Sequence, residues 1–350
     1  IIDAMTGGGP AKATETLAAE AMMWRGNRLE SDMRGLLADL YFRNKDYRQG
    51  FETVKIAAAS FPDSAVTGRL LEDAQLRFED LFLNGTADSL DDLAALALYY
   101  DYRDLTPPGA KGDEMIRNLA RRLVRIDLLE QAGDLLQYQV DSRLTGVGRA
   151  QVAADLAIIR IADRNPEAAL RVLNSTRIPE LPPTLERQRR VLEARALIDA
   201  GRQDLALDLV SRLSGRDIDL LRIDGYWKSR NYRMAAELLE IVHTPDRADA
   251  AMTRADRGGV LKAAVGFVLA GDALGLSRLR SKFSGLMSNS AEWPMFEYVT
   301  RDVEAQSDQF KAIAREVAAI DALDAFLKSY RELYPAHSEL MPEKATVPQV

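Results

Sequence analysis

Apolar residues return every three to four positions over most of this chain, a spacing that predicts helices almost throughout. The pattern is most regular over 148–242. Three stretches there, QVAADLAIIRIADRNPEAALRVLNST, RVLEARALIDAGRQDLALDLVSRL and LRIDGYWKSRNYRMAAELLEIV, share one grammar. Each has an apolar-periodic helix, a short polar break and a second helix that opens near a small residue. No stretch alternates with the period of two that marks a half-buried strand.

The flanking regions follow the same grammar less strictly. Residues 1–12, with Gly7-Gly8-Gly9-Pro10, read as a linker. A first helix is expected over 13–25, with Leu17, Ala18, Met22 and Trp24 as its apolar surface. A helix pair is expected over 31–64, then a helix over 64–83 that Asn84-Gly85 stops. Ser89 and Asp92 have the spacing of a capping signal for a helix through Tyr100. Thr106-Pro107-Pro108-Gly109 breaks the chain, which leaves one continuous superhelix and two lobes equally open. From Asp113 the pairs match small residues across their helices: Ala120 with Ala132, Ala157 with Ala169, Ala194 with Ala206. Ile223 with Ala235, and Ala264 with Leu276, match less well. At the C-terminus a short helix over 296–305 precedes a long one, capped by Ser307 and running to Tyr330. Its stripe is Phe310, Ile313, Val317, Ile320, Leu323, Phe326, Leu327 and Tyr330, which suits a helix that caps a stack. The expected layout is a linker (1–12), N-terminal helices (13–105), a central array (113–285), C-terminal capping helices (286–334) and a flexible tail (335–350).

The pair over 31–64 resembles the tetratricopeptide repeat. Counted from Ser31, the positions that are small in that repeat fall on Ala38, Gly50 and Ala57, the aromatic ones on Tyr41 and Tyr47, and the terminal proline on Pro62. Later pairs are degenerate: Ala132, Ala169, Ala206, Ala235 and Leu276 stand 37, 37, 29 and 41 residues apart, against about 34 in a strict array. The resemblance implies an all-α fold, a right-handed α-solenoid of degenerate tetratricopeptide-like pairs with a C-terminal capping helix. Residues 119–330 are also similar to the C-terminal helical region of large exported bacterial tetratricopeptide proteins. That likeness implies a periplasmic setting and a place in an envelope or motility assembly.

Composition narrows the chemistry. The 350 residues carry a net charge of −7, no cysteine and two histidines, with a pI near 5.2. The acidic balance argues against a nucleic-acid partner, which needs a basic field. Thiolate chemistry is excluded, and a histidine-rich metal site is not expected. No apolar run reaches membrane-spanning length. The chain begins Ile1-Ile2, as expected of a fragment or a processed protein. Catalytic signatures are missing: no H-E-x-x-H, no Gly-x-Ser-x-Gly, no phosphate loop. No catalytic residue, metal or cofactor is therefore expected. His243 reads as a histidine at a helix C-terminus, where the dipole favours it. Asn84-Gly85-Thr86 and Asn174-Ser175-Thr176 match a glycosylation pattern that chance supplies often. Tyr99, Tyr100, Tyr102, Tyr226 and Trp227 suit inter-helix core more than a groove.

The sharper feature is Arg117, Arg121 and Arg125, four residues apart and so on one helix face. In the repeat numbering they fall where tetratricopeptide domains line their concave groove, and some of those domains hold peptide carboxylates there. Arg195, Trp227 and Lys228 occupy comparable positions in later pairs. The implied function is a non-catalytic protein–protein interaction scaffold. Its partner is a protein or peptide, with an acidic or C-terminal carboxylate segment as the chemistry an arginine fork suits. Two alternatives stay open: an all-α toroid enzyme acting on glycans, which needs a carboxylate pair, and a regulatory ligand-binding helical domain.

Overall fold

The computed structural model describes residues 10–23, 28–245, 251–301, 305, 307–318, 322–335 and 340–341. The glycines of the expected linker, Trp24, Ile320 and most of the expected tail lie outside the described residues. Among the described residues the fold is all-helical, with no strand. The chain forms two compact units that divide between Arg122 and Leu123.

The first unit holds α1 (Pro10–Met23), α2 (Arg28–Arg43), α3 (Tyr47–Ser60), α4 (Ala65–Leu83), α5 (Asp92–Asp101) and most of α6 (Ala110–Arg125). Its core is aromatic. Phe51 meets Phe42 edge-on at 5.0 Å and Phe78 at 5.6 Å, and Phe78 stacks on Tyr99 at 5.9 Å. Edge-to-face pairs of this kind add about 0.5–1.5 kcal/mol each beyond the area they bury. Gly50 makes the α2–α3 approach possible: a Cβ there would stand 2.5 Å from the Phe42 ring. Tyr99 and Tyr102 are buried, as core aromatics should be, and the Tyr102 hydroxyl faces Glu52 at 3.1 Å. Burial and that carboxylate push the Tyr102 phenol up to about 12. The start of α5 differs from expectation. Asp91, not Ser89, is its cap and accepts from the amides of Leu93 and Ala94. Ser89 belongs to the 3-10 turn Thr86–Ser89.

The second unit continues with α7 (Leu129–Ser142), α8 (Gly146–Ala162), α9 (Pro166–Ser175), α10 (Pro183–Asp199), α11 (Gln203–Leu209), α12 (Arg216–Lys228) and α13 (Tyr232–Val242). It closes with α14 (Arg254–Ala270), α15 (Ala273–Met287), α16 (Trp293–Val299), α17 (Asp308–Ala318) and α18 (Ala322–Leu333). Consecutive helices from α7 to α16 pack together, and the first helices of successive pairs also meet: α8 with α10, α10 with α12. The small residues matched in the sequence lie in these seams. Ala132, Ala157, Ala169, Ala194, Ala235 and Ala264 are fully buried, as is Ala206 within 1%. Small side chains let helix axes approach closely.

One turn recurs. Lys45, Asp127, Arg164, Gly201, Arg230 and Gly271 have φ of 60°, 62°, 57°, 80°, 62° and 66°. Each follows the first helix of a pair. The next amide donates to the carbonyl five positions back: Asp46 to Tyr41, Leu128 to Leu123, Asn165 to Arg160, Arg202 to Leu197, Asn231 to Tyr226, Asp272 to Phe267, at 2.8–3.0 Å. This bond satisfies a carbonyl that the helix end leaves free and reverses the chain in a fixed direction.

The C-terminal stripe is described as α17 and α18, and residues 319–321 between them lie outside the described residues. Phe310, Ile313 and Val317 of α17 join a core cluster with α14 and α15, while α18 packs on α12. The stripe thus serves two different surfaces. Ser307 does cap α17, accepting from the Phe310 amide.

Candidate binding site

The arginines of α6 divide by task. Arg122, not part of the expected row, is the buried one. It pairs with Asp92 and donates to the carbonyls of Ala87 and Leu90, both at 2.5 Å. Arg117 and Arg121, on the first unit, share Glu114 at 2.7 and 3.0 Å, and Arg121 also donates to Asn118 at 2.6 Å. Arg125, on the second unit, is exposed. The second unit repeats the Arg122 device. Arg149 donates to Val140 at the end of α7. Arg189 donates to Ala150 and Leu173, and Arg222 to Val210, Ser211 and Leu213. A guanidinium carries five donors, so one side chain can bond several carbonyls at once.

Arg195, Trp227 and Lys228 sit on the face made by α10 and α12. Arg195 is 2% exposed. Its guanidinium meets Asp199 at 2.6 Å and Asp224 at 3.1 Å, and Lys228 reaches the same two carboxylates at 2.9 and 3.1 Å. Two cations and two anions form a neutral quartet, the arrangement that makes burying such charges tolerable. Although burial opposes it, Arg195 and Lys228 hold the Asp199 carboxyl below the usual range. Over this face lies α18. The Phe326 ring covers the Arg195 guanidinium at 5.5 Å, and the buried Gln188 amide donates to the Tyr330 hydroxyl at 2.6 Å. Leu323, Phe326, Leu327 and Tyr330 are all 2% exposed or less. Arg195 thus meets α18 and its own carboxylates, while Trp227 is half-buried against Tyr232 at 5.4 Å.

Beside this face is a cavity of ≈ 750 Å³ between α12, α13, α14, α16, α17 and α18. Its walls are mostly apolar. Lys262 enters it with the ammonium 4.8 Å from the Trp227 ring centre. Burial pulls the Lys262 amine down, and Asp224 only partly opposes this. His243 is a second basic group in the lining. Its Nδ1 lies 3.1 Å from Asp256, which in turn closes a capping box with Thr253 at the start of α14. Burial holds the imidazole below its ordinary value, with Asp256 opposing. The ring lies against Gly259, where a Cβ would overlap it. Sequence placed His243 at a helix end; the Asp256 partner and the cavity were not foreseen. The glycine pair Gly258-Gly259 inside a helix was the one available signal, since a helical glycine often marks a close approach.

Among the described residues no group of three or more His, Asp or Glu is placed to hold a metal ion, and no helix is long and apolar enough to cross a membrane. No protein-family model matches the chain, and neither does any curated protein.

Proposed function

We propose that the chain is a non-catalytic protein–protein interaction scaffold. In this reading it is an α-solenoid of degenerate tetratricopeptide-like pairs that takes an amphipathic helix on the face formed by the first helices of its pairs. The observation that carries the reading is α18, an amphipathic helix from far along the chain that lies on α10 and α12 through Phe326 and Tyr330. A face that accepts one such helix has the chemistry to accept a second from a partner. The anchors would be aromatic: a ring over Arg195 gains cation–π attraction, and few side chains carry most of the energy of such contacts. Arg117 and Arg121 on the first unit and Arg125 on the second are the remaining candidates for an acidic or C-terminal carboxylate segment, with Glu114 as the competitor to displace at Arg117 and Arg121.

The test is a titration of a labelled peptide with the α18 sequence, ALDAFLKSYREL, into the full chain and into a Phe326→Ala, Tyr330→Ala variant. In the native chain the resident helix competes. Weakening it raises the competent fraction and should tighten apparent peptide binding by about tenfold or more. A scrambled peptide should not bind. Equal binding of the scrambled peptide, or no saturable binding to the variant, would refute the reading.

A further inference from the structure

We infer that the cavity between α12–α14 and α16–α18 is a binding site for a small amphipathic monocarboxylate, with the carboxylate on Lys262 and an aliphatic or aromatic body along the apolar wall. The inference does not depend on the scaffold reading, and neither stands or falls with the other.

Three observations point to this ligand class. The first is size and lining. A volume of ≈ 750 Å³ falls within the range of about 300–1,000 Å³ common to small-molecule sites, which are mostly apolar with a few placed polar groups. Leu220, Ile223, Leu261, Met295 and Val317 supply such a wall. The second is the charge balance. The two inner carboxylates already have cations: Asp224 has Arg195 and Lys228, and Glu292 has Arg257 at 2.7 Å. Lys262, by contrast, makes no hydrogen bond and no ion pair within 4.0 Å among the described residues; its ammonium lies over the Trp227 ring face, and Asp224 acts on it only from beyond ion-pair distance. Glu316 and Arg254 stand at the exposed rim with opposite charges. The unmatched inner charge is therefore a single cation. The third is the number of donors. One ammonium beside an apolar wall suits one carboxylate, whereas a phosphate would leave charged oxygens without partners. A half-buried ammonium gains a charge-assisted bond from a ligand that brings its own anion and apolar surface together.

Calorimetric titration of the full chain with decanoate, decanol and decyltrimethylammonium tests the assignment. Decanoate should bind saturably at one site, with decanol weaker by about tenfold or more, the weight of one hydrogen bond to a charged group. Decyltrimethylammonium, with the wrong charge, should bind more weakly still. Lys262→Met should reduce decanoate affinity by about tenfold and leave decanol unchanged. Ala325→Trp, which fills the cavity from α18, should abolish both. The comparison of the three ligands needs no variant, so it stands even if a substitution fails to fold. Absence of saturable decanoate binding, equal binding of the anionic and cationic probes, or a folded Lys262→Met protein with unchanged decanoate affinity would overturn it.

Discussion

Lys45 and Arg230 hold left-handed backbone that glycine adopts without strain. Replacing either by Gly should raise stability by about 0.5–1 kcal/mol, read as a higher thermal midpoint. Gly201→Ala, at the same turn position, should cost about as much. These turns were only partly legible. Gly201 and Gly271 announce them, but Lys45, Asp127, Arg164 and Arg230 give no compositional sign, since the same bond from the following amide closes all six turns with or without a glycine. At His243 the packing is tight. Gly259→Ala should destabilise by about 1–3 kcal/mol through overpacking. His243→Ala should relieve that cost in the double variant, so the two changes would not add. His243 also sets a pH dependence. The unfolded chain takes up a proton near pH 6.5, while the folded imidazole, held down by burial, does not until lower pH. Stability therefore falls as pH drops below about 6.5, by up to about 1.4 kcal/mol per pH unit, until the folded group protonates. The groups facing the ring are Asp256, Arg216 and Lys262. Asp256, held below the carboxylate range, contributes its own loss only below about pH 4. His243→Gln should flatten denaturation midpoints between pH 6.5 and 5, a window set by the ordinary histidine value; an unchanged slope would contradict the burial of the neutral ring.

At the scale of elements, the seams between helices were the readable part. The alanines of 148–242 mark them because a side chain without bulk permits close approach wherever it recurs. What the pattern could not assign is the destination of each arginine. Spacing places Arg117, Arg121 and Arg125 on one face, yet Arg122, one residue away, is the structural one. Which guanidinium meets the carbonyls of the preceding turn depends on how the helices pack, and no periodicity encodes it. The division of labour is measurable. Arg189→Met removes the donor to Ala150, Leu173 and Thr176 and should cost about 2–3 kcal/mol, because buried carbonyls lose their partner. Arg117→Met removes only a half-exposed pair and should change stability by less than about 1 kcal/mol. Urea denaturation of the two variants distinguishes them, and equal losses would contradict the assignment. Tyr330→Phe leaves the buried Gln188 amide without its acceptor and should cost about 1–2 kcal/mol.

For the whole molecule, the helical class and the run of pairs from α8 to α13 were legible, and the fate of the C-terminal stripe was not. The surfaces the stripe meets are distributed between α14 and α12, and sequence spacing carries no record of that. The cavity escaped for the same reason: its walls come from six helices, and Lys262 looks from its neighbours like any surface lysine. In the proposed reading α18 is a docked helix on a face that stands without it. Hydrogen exchange measured by mass spectrometry on the native chain and on the Phe326→Ala, Tyr330→Ala variant tests this most directly. Exchange should quicken in α18 and in the turns of α10 and α12 beneath it, with α14 and α15 as protected as before. Uniformly faster exchange across the second unit would mean that α18 is an inseparable part of the core, and would contradict it.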